Sequence, residues 1–259
     1  MNTIIALSGV VIKEMYRRKD FYVLFVLTAL ITLVLGAVNF FNDDRIVKYL
    51  KEVCLLLIWI SSLVIAIGTA ARQIPAEREN RTIFPLLAKP VSRWQVILGK
   101  FFGCWLACGL CLVVFYVFFL LLSGTREHQW PVLQYLQTFG LHWSLLAIVV
   151  GLVLLGSVVL TAPSSNATIS FIVVLGILFV GRHLNTVALQ QPEPLSTIVY
   201  TIYFLIPHLE WFDVRDLVIY GQRLVGWGDC LLAMAYAGVY TALLLGVSWV
   251  AFRRKALNL

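Results

Sequence analysis

His208 and Asp213 stand five residues apart in the stretch HLEWFD. At that separation a carboxylate can orient an imidazole, and the imidazole can deprotonate an acyl-accepting hydroxyl. A second group, Cys104, Cys108 and Cys111, recurs at three- and four-residue spacing, which is one face of a helix. Three thiolates on one face could hold a soft metal such as Cu(I). Both readings compete with plainer ones. A lone His-x4-Asp spacing arises by chance often enough to carry little weight. Cysteine is a common small buried residue, and no His or Met joins the three at useful spacing along the chain. Gly99, Gly103 and Ala107 beside them form a small-xxx-small pattern, so helix packing is expected there and a bound metal is not. Other catalytic signatures are missing from the sequence, including Gly-x4-Gly-Lys-Ser/Thr, His-Glu-x-x-His and Gly-x-Ser-x-Gly.

The elements that would carry these residues are set by the solvent. Of 259 residues, 61% are hydrophobic and 13% charged, with a mean hydropathy of +0.90. Soluble domains hold about 45–50% apolar and about 25% charged residues, so the surplus must face lipid. A bilayer core about 30 Å thick needs roughly 20 apolar helical residues. Six segments meet or approach this, at about 21–41, 53–71, 98–122, 141–162, 164–181 and 230–252. The expected fold is an all-α polytopic membrane protein with six transmembrane helices in residues 21–252. Inside the spans Lys100 is the one formal charge, and the near absence of ionisable groups argues against a carrier driven by protons or sodium.

Lys and Arg in short loops resist translocation. With the N-terminus in the cytosol, Lys13, Arg17, Arg18, Lys19, Arg72, Arg78, Arg81, Lys89, Arg93, Lys100, Arg253, Arg254 and Lys255 fall inside. Both termini, including the tail 253–259, are therefore expected in the cytosol, and the net charge of +7 reads as topology and not as nucleic-acid binding. The first span is too long for the apolar core of a secretory signal and is expected to remain as an anchor. Ahead of it, residues 1–20 place Ile4, Leu7, Val11 and Met15 on one helical face. That is an amphipathic helix at the cytosolic interface, with its cations near lipid phosphates. On the outer side, 182–229 carries an apolar stretch, 198–206, too short to cross and stopped by Pro207. One or two short re-entrant or capping helices are expected before the last span, because bare backbone at membrane depth is not tolerated.

The loop 72–97 interrupts the apolar chain with IPAERENRTIFPLLAKPVSRWQVILGK. Thr82 to Ala88 has the length of a two-turn helix, Pro85 fits its first turn and Pro90 ends it. Ser92 and Gln95 have the spacing of a capping box that starts the third span. A short apolar helix rimmed by Arg78, Arg81, Lys89 and Arg93 has the character of a docking site.

This stretch resembles the cytosolic loop of type-2 ABC transporter permeases. Their usual form runs Glu, a few polar residues, Gly-Thr, an apolar run with Leu-Leu, a small residue, Pro-Val-Ser-Arg and then Gly-Lys. The matching positions are Glu77, Thr82, Leu86, Leu87, Pro90, Val91, Ser92, Arg93, Gly99 and Lys100, with Arg81 where the family has Gly. PLLAKPVSRWQVILGKFFG and IPHLEWFDVRDLVIYG look nearest the permeases grouped with multicopper-enzyme maturation, a label that does not make copper the cargo.

The resemblance implies a permease subunit, with export as the expected direction by family analogy, and without enzymatic activity or a cofactor of its own. ATP and Mg would sit on a separate ATP-binding-cassette ATPase. A second permease, identical or different, and the bilayer of a prokaryotic plasma membrane complete the expected partners. Thr82 to Ala88 would be the coupling helix, with Ile83, Phe84, Leu86 and Leu87 in a groove of the ATPase and Glu77, Arg78, Pro90 and Arg93 steadying the loop. Two other classes stay open. One is a lipid-modifying enzyme using His208 and Asp213, whose spacing resembles that of glycerolipid acyltransferases. The other is a scaffold that needs no ATPase.

Overall fold

The computed structural model describes residues 2–17, 22, 26, 29–30, 44–80, 91–127, 130–190, 192–221 and 223–254. In chain order the helices are α1 (Asn2–Tyr16), α2 (Asp44–Ala70), α3 (Pro75–Glu79), α4 (Arg93–Glu127), α5 (Val132–Val159), α6 (Pro163–Gln190), α7 (Leu195–Leu205), a 3-10 turn at Leu209–Phe212, α8 (Asp216–Ile219) and α9 (Trp227–Arg254). Among the described residues, five helical stretches are long and apolar enough to cross a membrane: Lys51–Glu79, Arg93–Thr125, Val132–Val159, Pro163–Gly181 and Trp227–Arg254. The expected first span, 21–41, lies outside the described residues except for 22, 26, 29 and 30. The architecture is an all-α, multi-pass bundle.

Helix α5 is apolar on every side and takes the centre. Its most apolar window is 67% buried within the chain, against 22% for that of α9. Helices α2, α4, α6 and α9 all pack on α5. Outward faces carry Phe179, Leu189, Leu232 and Leu243, each more than half exposed, a distribution that suits lipid and would be costly in water. Between α4 and α5, Trp105 and Trp143 stack at 4.5 Å. Each indole N–H donates to the other residue's carbonyl, at 3.0 and 3.2 Å. Both polar handles of a half-buried aromatic pair are thereby satisfied.

The fifth predicted span ends at residue 181, but α6 continues to Gln190. No proline interrupts it before Pro192 and Pro194, and Arg182 and His183 are compatible with helix. The segment between α6 and α9 caps the bundle. Helix α7 lies against α6, and the 3-10 turn and α8 seat Leu209, Phe212, Leu217, Val218 and Ile219 in the core. Buried Gln137 of α5 clips the chain leading into α9, donating to Val225 O at 2.9 Å and accepting from Val225 N at 3.2 Å. This cap end is opposite the loop end, where α3 stops and α4 starts.

Helix α1 forms as expected, with the expected apolar face, but that face is covered by protein. Val11 and Met15 are buried and α1 runs along α4. Ser8 Oγ donates to Gly99 O at 3.0 Å. A methyl group added at Gly99 would meet Leu7 Cβ at 2.6 Å, and one at Gly103 would meet Val11 Cβ at 2.6 Å and Ser8 Cα at 3.1 Å. The small-residue seam of α4 is therefore the seat of α1. Replacing Gly103 with Val should force α1 off its seat at a cost of about 1–3 kcal/mol, the usual range for overpacking. Thermal unfolding of the solubilised chain, together with faster amide exchange confined to α1, would register it; unchanged exchange would refute the seat.

Candidate coupling site at the loop end

Three of the predicted loop residues are described, Glu77, Arg78 and Arg93. Thr82, Ile83, Phe84, Leu86, Leu87 and Pro90 lie outside the described residues. The site is therefore built from the two roots of the loop.

The first root continues α2. Backbone bonds of helical register cross the turn, Ala71 N to Ile67 O, Ala76 N to Arg72 O and Arg78 N to Ile74 O. Pro75 opens α3 without an N–H, so the carbonyl of Ala71, four residues earlier, has no donor from its own helix. Asn166 of α6, fully buried, supplies one. Its Nδ2 donates to Ala71 O at 3.1 Å and to Val153 O of α5 at 3.2 Å, and its Oδ1 accepts from Ser170 at 3.1 Å. One side-chain amide thus ties α2, α5 and α6 beside the proline. Further along α3, Glu77 Oε1 meets Lys100 Nζ of α4 in an ion pair, and Arg78 Nη2 reaches Val158 O, near the end of α5, at 3.4 Å.

The second root is the start of α4. The capping box is present: Gln95 N donates to Ser92 Oγ at 3.3 Å, and Ser92 N donates to Gln95 Oε1 at 3.0 Å. Arg93 then turns toward α9, where its Nη1 donates to Phe252 O at 2.6 Å and Arg253 O at 3.1 Å. The chain on either side of residues 81–90 is thus tied to α4, α5, α6 and α9.

At the cap end, the proposed His208–Asp213 pairing gives way to other partners. His208 Nδ1 lies 3.2 Å from Glu210 Oε1, its ring stacks on Trp211 at 4.9 Å and its backbone N–H donates to Tyr236 OH at 3.1 Å. Asp213 instead accepts two hydrogen bonds from Arg215, at 2.7 and 2.9 Å. The intervening 3-10 turn puts Glu210 nearest the imidazole. A His-Asp dyad is not assembled, and His208 serves as a buried strut of the cap.

Cys104, Cys108 and Cys111 are buried on α4 as free thiols. Cys108 lies 3.9 Å from Thr69 Oγ1, and Cys111 lies 4.0 Å from Met15 Sδ. Spacing along the chain could not reveal Met15 as a neighbour. Among the described residues no three His, Cys, Asp or Glu side chains are arranged to hold a metal ion.

The chain matches the model of the family described as ABC-2 family transporter protein over residues 56–257, well over half its length. The chain belongs to the ABC-2 transporter family. No curated protein matches it. Members of this family are non-catalytic membrane subunits of transporters, which agrees with the unassembled His-Asp pair. In this ABC-2 protein, both roots of the loop singled out by the resemblance are fastened by polar contacts to the long apolar helices.

Sequence reasoning missed one polar centre of this ABC-2 protein. His142 of α5 is 2% exposed, with Ser62 Oγ of α2 2.8 Å from Nε2 and Tyr116 OH of α4 3.3 Å from Nδ1. Ser62 donates its own proton to Trp59 O at 2.8 Å, so Nε2 carries the hydrogen and Nδ1 accepts from Tyr116. All these groups are satisfied with the imidazole neutral. The one signal in the sequence was a single histidine in an apolar run, which inside a membrane calls for a partner.

Proposed function

We propose that this chain is the membrane-spanning subunit of an ATP-binding-cassette exporter, driven by a separate ATPase chain and paired with a second permease, in a prokaryotic plasma membrane with both termini in the cytosol. The observation that supports it most is the anchoring of the loop. Glu77, Arg78 and Arg93 hold its roots to α4, α5 and α9, and Asn166 adds α6, so a force on residues 80–91 is delivered to the bundle and not dissipated in a slack connection. Thr82 to Ala88 is the segment that would receive that force in a groove of the ATPase, as rigid-body transmission between packed helices requires. The concentration of Lys and Arg at the loop end favours a cytosolic position for it. The likeness to the multicopper-enzyme maturation group stays at the level of the quoted motifs and assigns no cargo.

The test is extraction of the tagged protein from its native membrane in mild detergent, with its companions identified by mass. A stoichiometric soluble ATPase should co-purify, and Leu86→Asp with Leu87→Asp should abolish its retention while the permease still inserts. A chain that emerges without an ATPase, or one whose double variant keeps it, would defeat the proposal.

A further inference from the structure

The resemblance gave Arg93 the task of steadying the loop, and its guanidinium is engaged within the chain. Half-buried at the start of α4, it donates from one nitrogen to Phe252 O and Arg253 O and lies 5.4 Å from the Phe252 ring centroid. The next residue, Trp94, meets Trp249 edge-on at 6.0 Å, and Arg253 covers the other aromatic, with its guanidinium carbon 5.9 Å from the Trp249 centroid. Phe252 and Arg253 lie in the last turn of α9. Carbonyls at this end of a helix carry the negative end of its dipole. A cation that hydrogen-bonds them is a C-cap, here delivered by another helix.

We propose that Arg93 is a positioning residue that makes the loop end of α9 and the root of α4 move as one body. A displacement of residues 80–91 then reaches α9 directly, and through the α9–α5 packing it reaches the centre of the bundle. This rests on the coupling reading above for the source of the displacement, but the clasp can be tested without it. Arginine suits the task because its planar group can bond carbonyls and lie on a ring together; lysine offers a point charge alone.

Amide exchange read by mass on the purified chain in lipid nanodiscs decides the first half. Arg93→Ala should speed exchange in 248–254 by about tenfold, equivalent to about 1.4 kcal/mol of lost capping, with Arg93→Lys between it and the wild type. Exchange in 145–155 of α5 should stay as in the wild type, which separates a lost clasp from misfolding. Unchanged exchange at 248–254 in Arg93→Ala would overturn the proposal. For the second half, the complex with its ATPase is trapped with ATP and vanadate. Wild-type protection should change at 91–97 and 248–254 together, and in Arg93→Ala at 91–97 alone. An Arg93→Ala complex in which α9 still responds as in the wild type would refute the transmission. A wild-type chain that binds no ATPase would overturn the coupling reading and the transmission with it, while the first measurement would still report on the clasp.

Discussion

Replacing Lys100 with methionine should lower the melting temperature of the solubilised chain by roughly 6–12 °C, from about 3 kcal/mol of lost stability. Lys100 is 5% exposed and its partner Glu77 22%. A carboxylate left there without its ammonium keeps a desolvation cost that water offsets only in part, which places the effect at the low end of the range for broken buried pairs. The informative comparison is the double variant Lys100→Met with Glu77→Leu. Removing both charges removes the desolvation cost with the attraction, and the double variant should recover most of the melting temperature. Stability and coupling then separate. If the pair exists to hold α3 against α4 while the loop is pushed, the recovered double variant should still hydrolyse ATP in complex without the protection changes in α4 expected of the wild type. Full recovery of both would reduce the pair to a fold element, and a double variant as unstable as Lys100→Met would show that the pair's attraction was not what Lys100 contributed.

Asn166→Leu should cost about 3 kcal/mol, and the cost should be partly recoverable from an unexpected position. The amide serves the Ala71 carbonyl because Pro75 cannot. Leucine leaves that acceptor bare in the interior, worth about 1–3 kcal/mol by itself, and strands Ser170, whose hydroxyl bonds Asn166 Oδ1. There is little room for a branched side chain, since Oδ1 lies 2.2 Å from where a Cβ on Gly156 would stand. Pro75→Ala restores a backbone donor in register with Ala71, so Asn166→Leu with Pro75→Ala should be more stable than Asn166→Leu alone. Thermal unfolding of the four proteins of this cycle measures the interaction directly. Additive effects would mean that the amide does not stand in for the missing N–H.

These two contacts mark where sequence reasoning stopped. Apolar runs longer than a bilayer is thick declare themselves, and so do signals confined to one turn, such as Ser92 with Gln95 or the stop at Pro207. The face of α1 was legible because Ile4, Leu7, Val11 and Met15 recur on a helical period. What covers that face was not, since lipid and a glycine seam about ninety residues away accept the same apolar stripe. Asn166 and Ala71 are 95 residues apart, and no local rule pairs an asparagine with a carbonyl orphaned by a distant proline. The same blindness affected His208. At a spacing of five Asp213 looked suitable, and only the 3-10 turn, which tightens the backbone, gives the imidazole to Glu210.

The seat of α1 also has a consequence for how the protein is made. Ser8 is synthesised 91 residues before Gly99, which at about 5–20 residues per second is an interval of roughly 5–20 s. During that time the helix exists without its groove, and an apolar stripe with nowhere to go in water invites aggregation. The bilayer surface can hold such a stripe reversibly. The amphipathic pattern of α1 therefore answers to two successive hosts, lipid while the ribosome is still working and Gly99 with Gly103 once α4 has entered. A sequence that gripped the membrane too firmly would be slow to leave it, so moderate lipid affinity in α1 is a requirement of assembly order.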